Sequence, residues 1–600
     1  MIYSEQKKQL QTLNRRAFFL LLSNISLFSV VGWRLFDIQI LDSEKYQTLS
    51  KNNQIKLQLL APLRGEILDR NGKKLATNKL VYDLYLIPEQ TNNIEKTLKN
   101  LNNFVKIDYK KKREIINLIK KNKKFESIKV LENLNWDKLE LIETNKNALD
   151  GLHLLENYQR IYPQGEFYGH IIGYINKPSK NDHKLHYISQ LPNLNVGKRG
   201  IERSYNDQLI GKPGQKEIEV NAKGRLIREI SNVNSIKGIN LGISIDLDLQ
   251  KFTQKEINKH KAGSIVVLNI ESGELFSMVS TPTFDPNLII KKPNEDYWKS
   301  LIENSLSPLT NRSIQGLYAP GSTFKMVVAL AGLKHNLIDS SDSEFCEGKI
   351  EYGDRFYHCW KEKGHGRINL EKAIKESCDV YFYKLALKIG IDKISNLARE
   401  FGLGQDFEIG IEGEKAGIIP TKKWKKENLN ETWYAGETLN AGIGQGYTLC
   451  NPLQLAVMTA RIASNGMKVV PTLIKNKDKK NFDKMKINLN HISLIKDAMF
   501  KVVNEFKGTA NKSKSEKFLF SGKTGTSQVK RISIEERESE DFRKKEIEWK
   551  NKDHALFVGY MPSENPKFAI SIVVEHGGSG ASTAAPIANK IFNYLYSKKI

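Results

Sequence analysis

An apolar run close to the N-terminus constrains this chain more than any other feature. The seventeen residues from Ala17 to Trp33 carry no charge, and four basic residues precede them: Lys7, Lys8, Arg15 and Arg16. A helix of that length spans about 26 Å, close to the roughly 30 Å core of a bilayer. Since basic flanks stay in the cytoplasm, the sequence predicts a cytoplasmic tail at 1–16 and a single-pass transmembrane signal anchor at 17–36.

The location of the remaining chain depends on how this run is processed. No small-x-small cleavage site follows it, which favours an uncleaved anchor over a removed signal peptide. A buried helix of a soluble protein is the other alternative. We therefore expect a protein anchored in the cytoplasmic (inner) membrane, with its N-terminus inside and its bulk in the periplasm.

The composition is that of a folded protein with several domains. Of its 600 residues, 40% are hydrophobic and 27% are charged, which argues against disorder. The net charge of +25 would suit a nucleic-acid-binding protein. However, the lysines are spread along the chain among asparagine and isoleucine residues, as a compositional bias produces. We therefore predict no nucleic-acid partner.

A candidate nucleophile stands at the expected start of a helix. Ser322 comes three residues before Lys325, behind Pro320 and Gly321, and the apolar run 326–333 continues with helical spacing. The serine and the lysine are therefore expected on one face of the first turn. A lysine whose pKa is depressed by burial or by nearby cations can take the proton of a serine. Alone, this spacing also occurs by chance on many surface helices.

Two further motifs give the pair its meaning. Ser377-Cys378-Asp379 lies 55 residues after Ser322, and Lys523-Thr524-Gly525 stands within Ser521–Thr526, behind a predicted apolar strand at Phe518–Phe520. The three motifs in this order form the signature of penicillin-binding proteins and serine β-lactamases. The sequence is identified as a member of that family.

The resemblance implies the roles of the first catalytic residues. Ser322 attacks the penultimate D-Ala carbonyl of a stem peptide, Lys325 accepts its proton, and Ser377 relays a proton towards the leaving amine. Many relatives have asparagine where this chain has Asp379. A carboxylate favours the charged form of a neighbouring lysine, so we expect Asp379 to turn towards a partner such as Lys523, or the proton inventory to differ.

The resemblance also implies how the substrate is held. Lys523 supplies positive charge near the substrate carboxylate, and Thr524, Gly525 and Thr526 bind that carboxylate, the two threonines through their hydroxyls. The backbone N–H groups of Ser322 and Thr526 are expected to form the oxyanion hole. No cofactor is implied for the chemistry.

Motifs outside the catalytic set narrow the family. Four segments resemble the pedestal of class B penicillin-binding proteins: Arg64–Gly72, Arg160–Pro163, His170–Tyr174 and Gly200–Glu202. Three others resemble the penicillin-binding protein 2 subgroup: Gly442–Tyr447, Asp553–Tyr560 and Val574–Gly578. The S-x-D form of the second motif is typical of the same subgroup. No glycosyltransferase-like sequence precedes the pedestal, which favours a monofunctional protein.

The resemblance implies an α+β architecture. We predict a pedestal or dimerisation-like domain at 37–238, with an inserted helical lobe at about 90–150, and a transpeptidase domain at 239–600. The polar, glycine-containing stretch at 236–239 marks the boundary. The transpeptidase domain is expected to have a central antiparallel sheet flanked by helices.

The resemblance implies a peptidoglycan D,D-transpeptidase that cross-links stem peptides during cell elongation and is inhibited by β-lactams. It also implies a membrane glycosyltransferase of the SEDS family and rod-complex scaffold proteins as partners. A hydrolase, either a D,D-carboxypeptidase or a β-lactamase, is one alternative, against which the long pedestal argues. A non-catalytic β-lactam sensor is the other, although such a receptor should carry a larger cytoplasmic or multi-span module.

A second candidate site combines three cysteines and a histidine. Cys346, Cys359, His365 and Cys378 supply the ligand set of a closed structural zinc site, although their spacing is not that of a common zinc finger. Because Cys378 lies inside the S-x-D motif, a metal there would fasten that motif to the loop before it. A Cys346–Cys359 disulfide, natural outside the cytoplasm, and free thiols are the alternatives.

A charged segment follows the K-T-G motif. Residues 529–552 are almost all charged or polar. This pattern is typical of a solvated hairpin extension or a flexible loop. The alternative is a lid that shapes access to the cleft.

Overall fold

The computed structural model describes residues 2–44, 55–179, 191, 194–221, 226–290, 295–475, 481–529 and 548–599. The helices are α1 Ile2–Phe36, α2 Ile94–Phe104, α3 Tyr109–Lys121, α4 Trp136–Thr144, α5 Gly169–Ile172, α6 Gly200–Ser204, α7 Asn206–Ile210, α8 Leu247–Ile257, α9 Pro286–Ile290, α10 Glu295–Ile302, α11 Arg312–Gln315, α12 Lys325–Lys334, α13 Leu370–Lys375, α14 Asp379–Ile389, α15 Ile391–Glu400, α16 Lys422–Leu429, α17 Ala435–Gly442, α18 Pro452–Ala463, α19 Leu489–Asn504 and α20 Ala585–Lys598.

The strands follow the same order along the chain. They are β1 Ile55–Leu60, β2 Ile67–Leu68, β3 Lys74–Leu86, β4 Ile128–Leu134, β5 Leu152–Ile161, β6 Ile175–Asn176, β7 Val196–Gly197, β8 Gly214–Val220, β9 Leu226–Val233, β10 Leu241–Gly242, β11 Gly263–Asn269, β12 Leu275–Thr281, β13 Ser343–Cys346, β14 Lys349–Tyr352, β15 Arg355–His358, β16 Gly366–Asn369, β17 Ser521–Ser527, β18 His554–Met561 and β19 Phe568–Val574.

The first helix contains the predicted anchor. Residues 16–41 are long and apolar enough to cross a membrane, and none of the most apolar stretch is buried against the protein. A π-helical turn, Asp37–Leu41, continues from α1. The helix also extends back to Ile2, through the residues predicted as a cytoplasmic tail. The predicted tail and the predicted anchor therefore belong to one continuous α-helix.

The pedestal is built around a long strand. β3 pairs antiparallel with β5 along most of its length, with β4 at its C-terminal end and with β2 at its start. Helices α2, α3 and α4 cover this sheet, and their apolar faces share a separate hydrophobic core with β3 and β4, which includes Leu84, Leu98 and Ile115. The predicted helical lobe is thus a small α/β unit. A second antiparallel sheet, in the order β1-β8-β9, lies in the same half of the chain.

Three of the four pedestal motifs converge on one buried carboxylate. Glu202 receives a hydrogen bond from the Nε of Arg64 and another from the Nε of Arg160, both at 2.7 Å. Tyr162 donates to it at 3.3 Å. Burial would raise the pKa of Glu202, but the two guanidinium charges and their hydrogen bonds hold it below its usual value. Motifs 138 residues apart in sequence are thereby fixed as one rigid unit.

The catalytic half contains a five-stranded antiparallel sheet in the order β12-β11-β19-β18-β17. Buried apolar residues occupy nearly every position of its central strands, as expected for a sheet covered on both faces. Helices α8 and α20 contact each other on one side, where Phe252 stacks on Tyr594 at 4.6 Å, and α18 covers the other. β17, which carries the K-T-G motif, is an edge strand.

One strand prediction was wrong. Phe518–Phe520 has no regular structure, and the strand begins at Ser521. The phenylalanine rings contact the C-terminal helix instead: Phe520 lies 5.1 Å from Phe592, and Phe518 lies 5.4 Å from Tyr596. Packing against α20 therefore explains the apolar pattern that indicated a strand.

Candidate active site

The nucleophile candidate lies in a short 3₁₀ turn. Ser322 belongs to the turn Gly321–Phe324, which runs directly into α12 at Lys325. The serine is half-buried, whereas Lys325 is completely buried. The predicted helix start is therefore correct to within one turn, and Ser322 is the member of the pair that a substrate can reach.

The K-T-G strand runs directly beside this turn. Gly321 has φ +54°, and a Cβ there would lie 2.4 Å from the carbonyl oxygen of Thr526, so no other residue fits without displacing the backbone. Gly444 accepts from the N–H of Gly321 at 2.8 Å, and the Gln445 amide donates to the Thr526 carbonyl at 2.9 Å. Three backbone segments thus meet beside Ser322.

Lys325 is held by the S-x-D motif. Its Nζ donates to the carbonyl oxygen of Ser377 at 2.9 Å, to Ser377 Oγ at 3.2 Å and to Asp379 Oδ1 at 2.7 Å. These three bonds use every donor of an ammonium group. Of the two alternatives given for Asp379, the structure does not have the one with Lys523 as its partner: the carboxylate pairs with Lys325. The reason is that Asp379 begins α14, which packs beside α12 and so directs the carboxylate at the lysine of that helix.

Ser377 joins the two lysines. Lys523 Nζ donates to Ser377 Oγ at 2.9 Å and to the Thr524 carbonyl at 3.0 Å. Burial lowers the pKa of Lys523 well below its usual value, the charge of Lys325 lowers it further, and Asp379 acts in the opposite direction. Ser377 itself has φ +56°, a strained conformation for a serine. One hydroxyl therefore lies between a charged lysine and a lysine that readily becomes neutral.

The two threonines of the K-T-G strand differ in access. Thr524 is buried and its hydroxyl is hydrogen-bonded to that of Thr509 at 2.7 Å, whereas Thr526 is half-buried. Gly525 leaves room for the turn, since a Cβ there would lie 2.9 Å from Thr323 Cγ2. Thr509 had no sequence signal, because it lies in a loop 15 residues before its partner.

The cysteine and histidine side chains do come together. The Sγ atoms of Cys346, Cys359 and Cys378 and one ring nitrogen of His365 all lie within 4.8 Å of one another. His365 Nδ1 is 3.6 Å from the Sγ atoms of Cys346 and of Cys359. Sulfur and nitrogen ligands of a tetrahedral zinc lie about 3.6 Å apart, given Zn–S near 2.3 Å and Zn–N near 2.0–2.1 Å. The donor set and its spacing thus fit zinc.

The same cluster touches the catalytic motif. The backbone N–H of Asp379 donates to Cys359 Sγ at 3.4 Å. All four cysteines of the chain are free thiols, so the Cys346–Cys359 disulfide is not formed in this structure. The charged segment at 529–552 falls mostly outside the described residues, since 530–547 are not described.

Comparison with known proteins identifies the two halves of the chain. The model of the penicillin-binding protein transpeptidase domain matches residues 263–593, more than half of the sequence. The model of the penicillin-binding protein dimerisation domain matches residues 59–243. The chain belongs to the penicillin-binding protein family. Its serine, lysine and K-T-G motifs all lie within the transpeptidase match, and the Arg64–Glu202–Arg160 network lies within the dimerisation match.

Relatives along the whole chain refine the assignment of this penicillin-binding protein. It is 33% identical to the peptidoglycan D,D-transpeptidase MrdA of Haemophilus influenzae, over 100% of this chain and 94% of that one. It is 32% identical to the MrdA of Escherichia coli, over 94% of this chain and 92% of that one. The prediction of a peptidoglycan D,D-transpeptidase, a serine-type enzyme, is thereby confirmed.

Solved structures of penicillin-binding protein 2 have the same fold. The protein from Helicobacter pylori, determined in complex with MreC, matches with a TM-score of 0.79 at 32% identity, over 91% of this chain and 99% of that one. The protein from Pseudomonas aeruginosa, in complex with WCK 5153, matches with a TM-score of 0.67 at 28% identity, over 90% and 96%. The predicted subgroup and the predicted α+β architecture, with a pedestal before a transpeptidase domain, are confirmed.

Proposed function

We propose that this penicillin-binding protein cross-links peptidoglycan stem peptides during cell elongation through an acyl-enzyme on Ser322. The observation that carries the proposal is the position of Ser377 Oγ, within hydrogen-bond reach of both Lys325 and Lys523. Such a hydroxyl can pass a proton between two amines without moving. The group that must lose a proton during acylation is the hydroxyl of the half-buried Ser322 beside them.

Acylation proceeds by a proton relay in which each group that gives up a proton passes it to the next. Ser322 gives its proton to Lys325 as Lys325 gives one to Ser377 Oγ, and Ser377 gives its own to the neutral amine of Lys523. Lys325 is a cation before and after this step, which explains why Asp379 can stay paired with it. Proton transfer in the reverse direction, through Ser377, protonates the leaving D-Ala amine when the C–N bond breaks.

The substrate is held by the edge strand. The backbone N–H groups of Ser322 and Thr526 stabilise the oxyanion, since the turn and β17 lie side by side. Thr526 offers the accessible hydroxyl to the substrate carboxylate, Thr524 supports it from the buried side together with Thr509, and Gly525 keeps the strand close. Lys523, once protonated, adds a positive charge where that carboxylate binds.

Acylation by benzylpenicillin tests this proposal. Intact-mass spectrometry of the full chain in detergent should show a stable single adduct that is absent in Ser322→Ala. The exposed Ser579→Ala is the matched control and should acylate like the unmodified protein. An adduct that is lost within seconds would support a β-lactamase instead. Acylation without cross-linking in the presence of a glycan-polymerising partner would support a sensor.

We propose one structural zinc as a second element of the function, held by Cys346, Cys359, His365 and Cys378. When bound, it ties the S-x-D motif to the β13–β16 loops. Nδ1 is the ring nitrogen of His365 that would bind the metal, because it lies 3.6 Å from the Sγ atoms of both Cys346 and Cys359. Cys359→Ser should abolish zinc content measured by elemental analysis, whereas the buried Cys450→Ser, outside the cluster, should leave it unchanged. Full metal in Cys359→Ser would contradict this.

We also propose the setting in which the enzyme acts. The relatives' structures include a complex with MreC and one described as coordinating polymerisation and cross-linking in a peptidoglycan synthase complex. By analogy, this chain spans the inner membrane through residues 17–36, with 37–238 and 239–600 in the periplasm. Its partners are a SEDS-family glycosyltransferase and rod-complex scaffold proteins. Depletion should give rounded cells, and filaments would indicate a role in division instead.

A further inference from the structure

One residue, Trp360, holds both ends of the Ser377–Asp379 motif. Its backbone N–H donates to Asp379 Oδ2 at 2.9 Å. Its indole N–H is shared between the carbonyl oxygens of Ser377 and Glu376, both at 3.1 Å. The Ser377 carbonyl also accepts from Lys325 at 2.9 Å, so its two lone pairs are both engaged.

The N–H end of the Trp360 indole is held by hydrogen bonds, whereas much of the rest of the side chain is exposed to solvent. Trp360 is 60% exposed, although its N–H end reaches the carbonyl of a buried catalytic residue. Its ring contacts His365 edge-on, with ring centroids 5.6 Å apart. An isolated exposed aromatic ring is ordinary and needs no explanation. Trp360 differs because its N–H is shared between the carbonyl oxygens of Glu376 and Ser377, and burial of the ring does not account for that contact.

The hydrogen bond from Trp360 matters because of the backbone conformation of Ser377. At φ +56° the serine is strained, and such a conformation persists only where neighbouring groups hold it. The carbonyl side of the turn is held by Lys325 and Trp360. Without the indole N–H, the Ser377 carbonyl keeps only its bond from Lys325, and the Cys378 N–H of the same peptide keeps its bond to the Ala373 carbonyl, both at 2.9 Å. The strained turn is then held by fewer contacts, and we expect the Ser377 hydroxyl to shift from its position 2.9 Å from Lys523 Nζ.

We propose that Trp360 is a positioning residue for the transpeptidase reaction: its indole N–H holds Ser377 between the two lysines. This inference rests on the proposed relay through Ser377. No signal in the sequence assigns a role to this tryptophan.

The test compares two tryptophans that each lose one indole hydrogen bond. Trp360→Phe keeps an aromatic ring but removes the N–H. Trp433→Phe is the matched control, since Trp433 Nε1 donates to Thr438 Oγ1 at 2.8 Å away from the relay. With a fluorescent penicillin, Trp360→Phe should lower the saturating acylation rate at least about tenfold and leave the half-saturating concentration unchanged. Trp433→Phe should change neither.

Two further readouts separate positioning from a general structural defect. Trp360→His restores a ring N–H and should recover part of the lost acylation rate. Acylation should also change the tryptophan fluorescence of the unmodified protein, and that change should be absent in Trp360→Phe and present in Trp433→Phe.

The outcomes distinguish this inference from the proposed function. If the unmodified protein acylates on Ser322 and Trp360→Phe acylates equally fast, the inference is overturned and the proposed function stands. A raised half-saturating concentration with an unchanged saturating rate would also overturn it, because the tryptophan would then bind ligand without positioning Ser377. If Ser322→Ala acylates like the unmodified protein, the proposed function itself fails.

Discussion

Two buried ionic networks in this protein each combine one carboxylate with two basic side chains, but they differ in the kind of basic side chain. In the pedestal, Glu202 lies between Arg64 and Arg160, each 2.7 Å away. In the transpeptidase domain, Asp379 pairs with Lys325 at 2.7 Å, and Lys523 is linked to them through the hydroxyl of Ser377. Each network thus has one carboxylate for two basic side chains in the protein interior.

The difference lies in which cation can lose its proton. A guanidinium stays charged at any physiological pH, so the pedestal network has one protonation state and serves only to fix the backbone. A buried lysine beside another cation has a lowered pKa, as Lys523 does. Arginine is therefore suited to the domain that holds its shape, and lysine to the domain that moves a proton.

The largest effect is expected when Lys523, which can lose its proton, is replaced by arginine, which cannot. Lys523→Arg keeps the positive charge and removes the neutral amine. The acylation rate with benzylpenicillin should fall by about 10²- to 10⁴-fold, the range that general acid–base groups contribute. Stopped-flow or quenched mass spectrometry measures it.

Arg160→Lys is the reciprocal exchange in the pedestal and serves as its control. It should leave the acylation rate of the folded protein unchanged, because the pedestal network takes no part in proton transfer. Acylation by Lys523→Arg at the rate of the unmodified protein would show that Lys523 acts only as a positive charge.

The next effect concerns the stability of the pedestal. Glu202→Gln leaves two buried guanidinium groups without their counter-charge, which should destabilise the pedestal by about 3–5 kcal/mol. Denaturant unfolding followed in the pedestal transition measures this. A loss below about 1 kcal/mol would mean that solvent reaches the two arginines and that the network is not a rigid core.

A smaller effect is expected on the pH dependence of acylation. The rate should rise with pH as Lys523 loses its proton. The charge of Asp379 raises the pKa of Lys523, so Asp379→Asn lowers that pKa further. The rising limb should therefore move to lower pH, by roughly one unit. A limb that stays in place, or moves to higher pH, would assign the titration to another group.

The smallest effect is expected where an ion pair is exposed. Lys73 and Asp248 are 2.9 Å apart, but their side chains are 47% and 59% exposed. Asp248→Asn should change the free energy of unfolding by less than about 1 kcal/mol, because water screens the pair. A loss as large as that of Glu202→Gln would mean that burial does not distinguish the networks.

The sequence predicted the members of these sites better than their partners. Ser322, Lys325, Ser377 and Lys523 could be named because motif order is a property of the chain itself. The partner of Asp379 could not, since it depends on how α14 packs beside α12. Trp360 and Thr509 were missed for the same reason: each acts through contacts that spacing does not encode.

The pedestal gives the same lesson. Arg64, Arg160 and Glu202 each stood in a motif, yet nothing in their spacing showed that they form one network. The wrong strand at Phe518–Phe520 arose because a short apolar run cannot distinguish sheet pairing from packing against a helix. The cysteine cluster was predictable because its two ligand types are rare in this chain, which has 4 cysteines and 11 histidines.

The most direct test of the central claim is the rate of benzylpenicillin acylation across a pH series, with the adduct mapped by peptide mass spectrometry. We predict an adduct on Ser322 whose rate of formation rises with pH through the lowered pKa of Lys523, and no such rise in Lys523→Arg. An adduct on another residue, or a rise in Lys523→Arg identical to that of the unmodified protein, would contradict the relay between the two lysines.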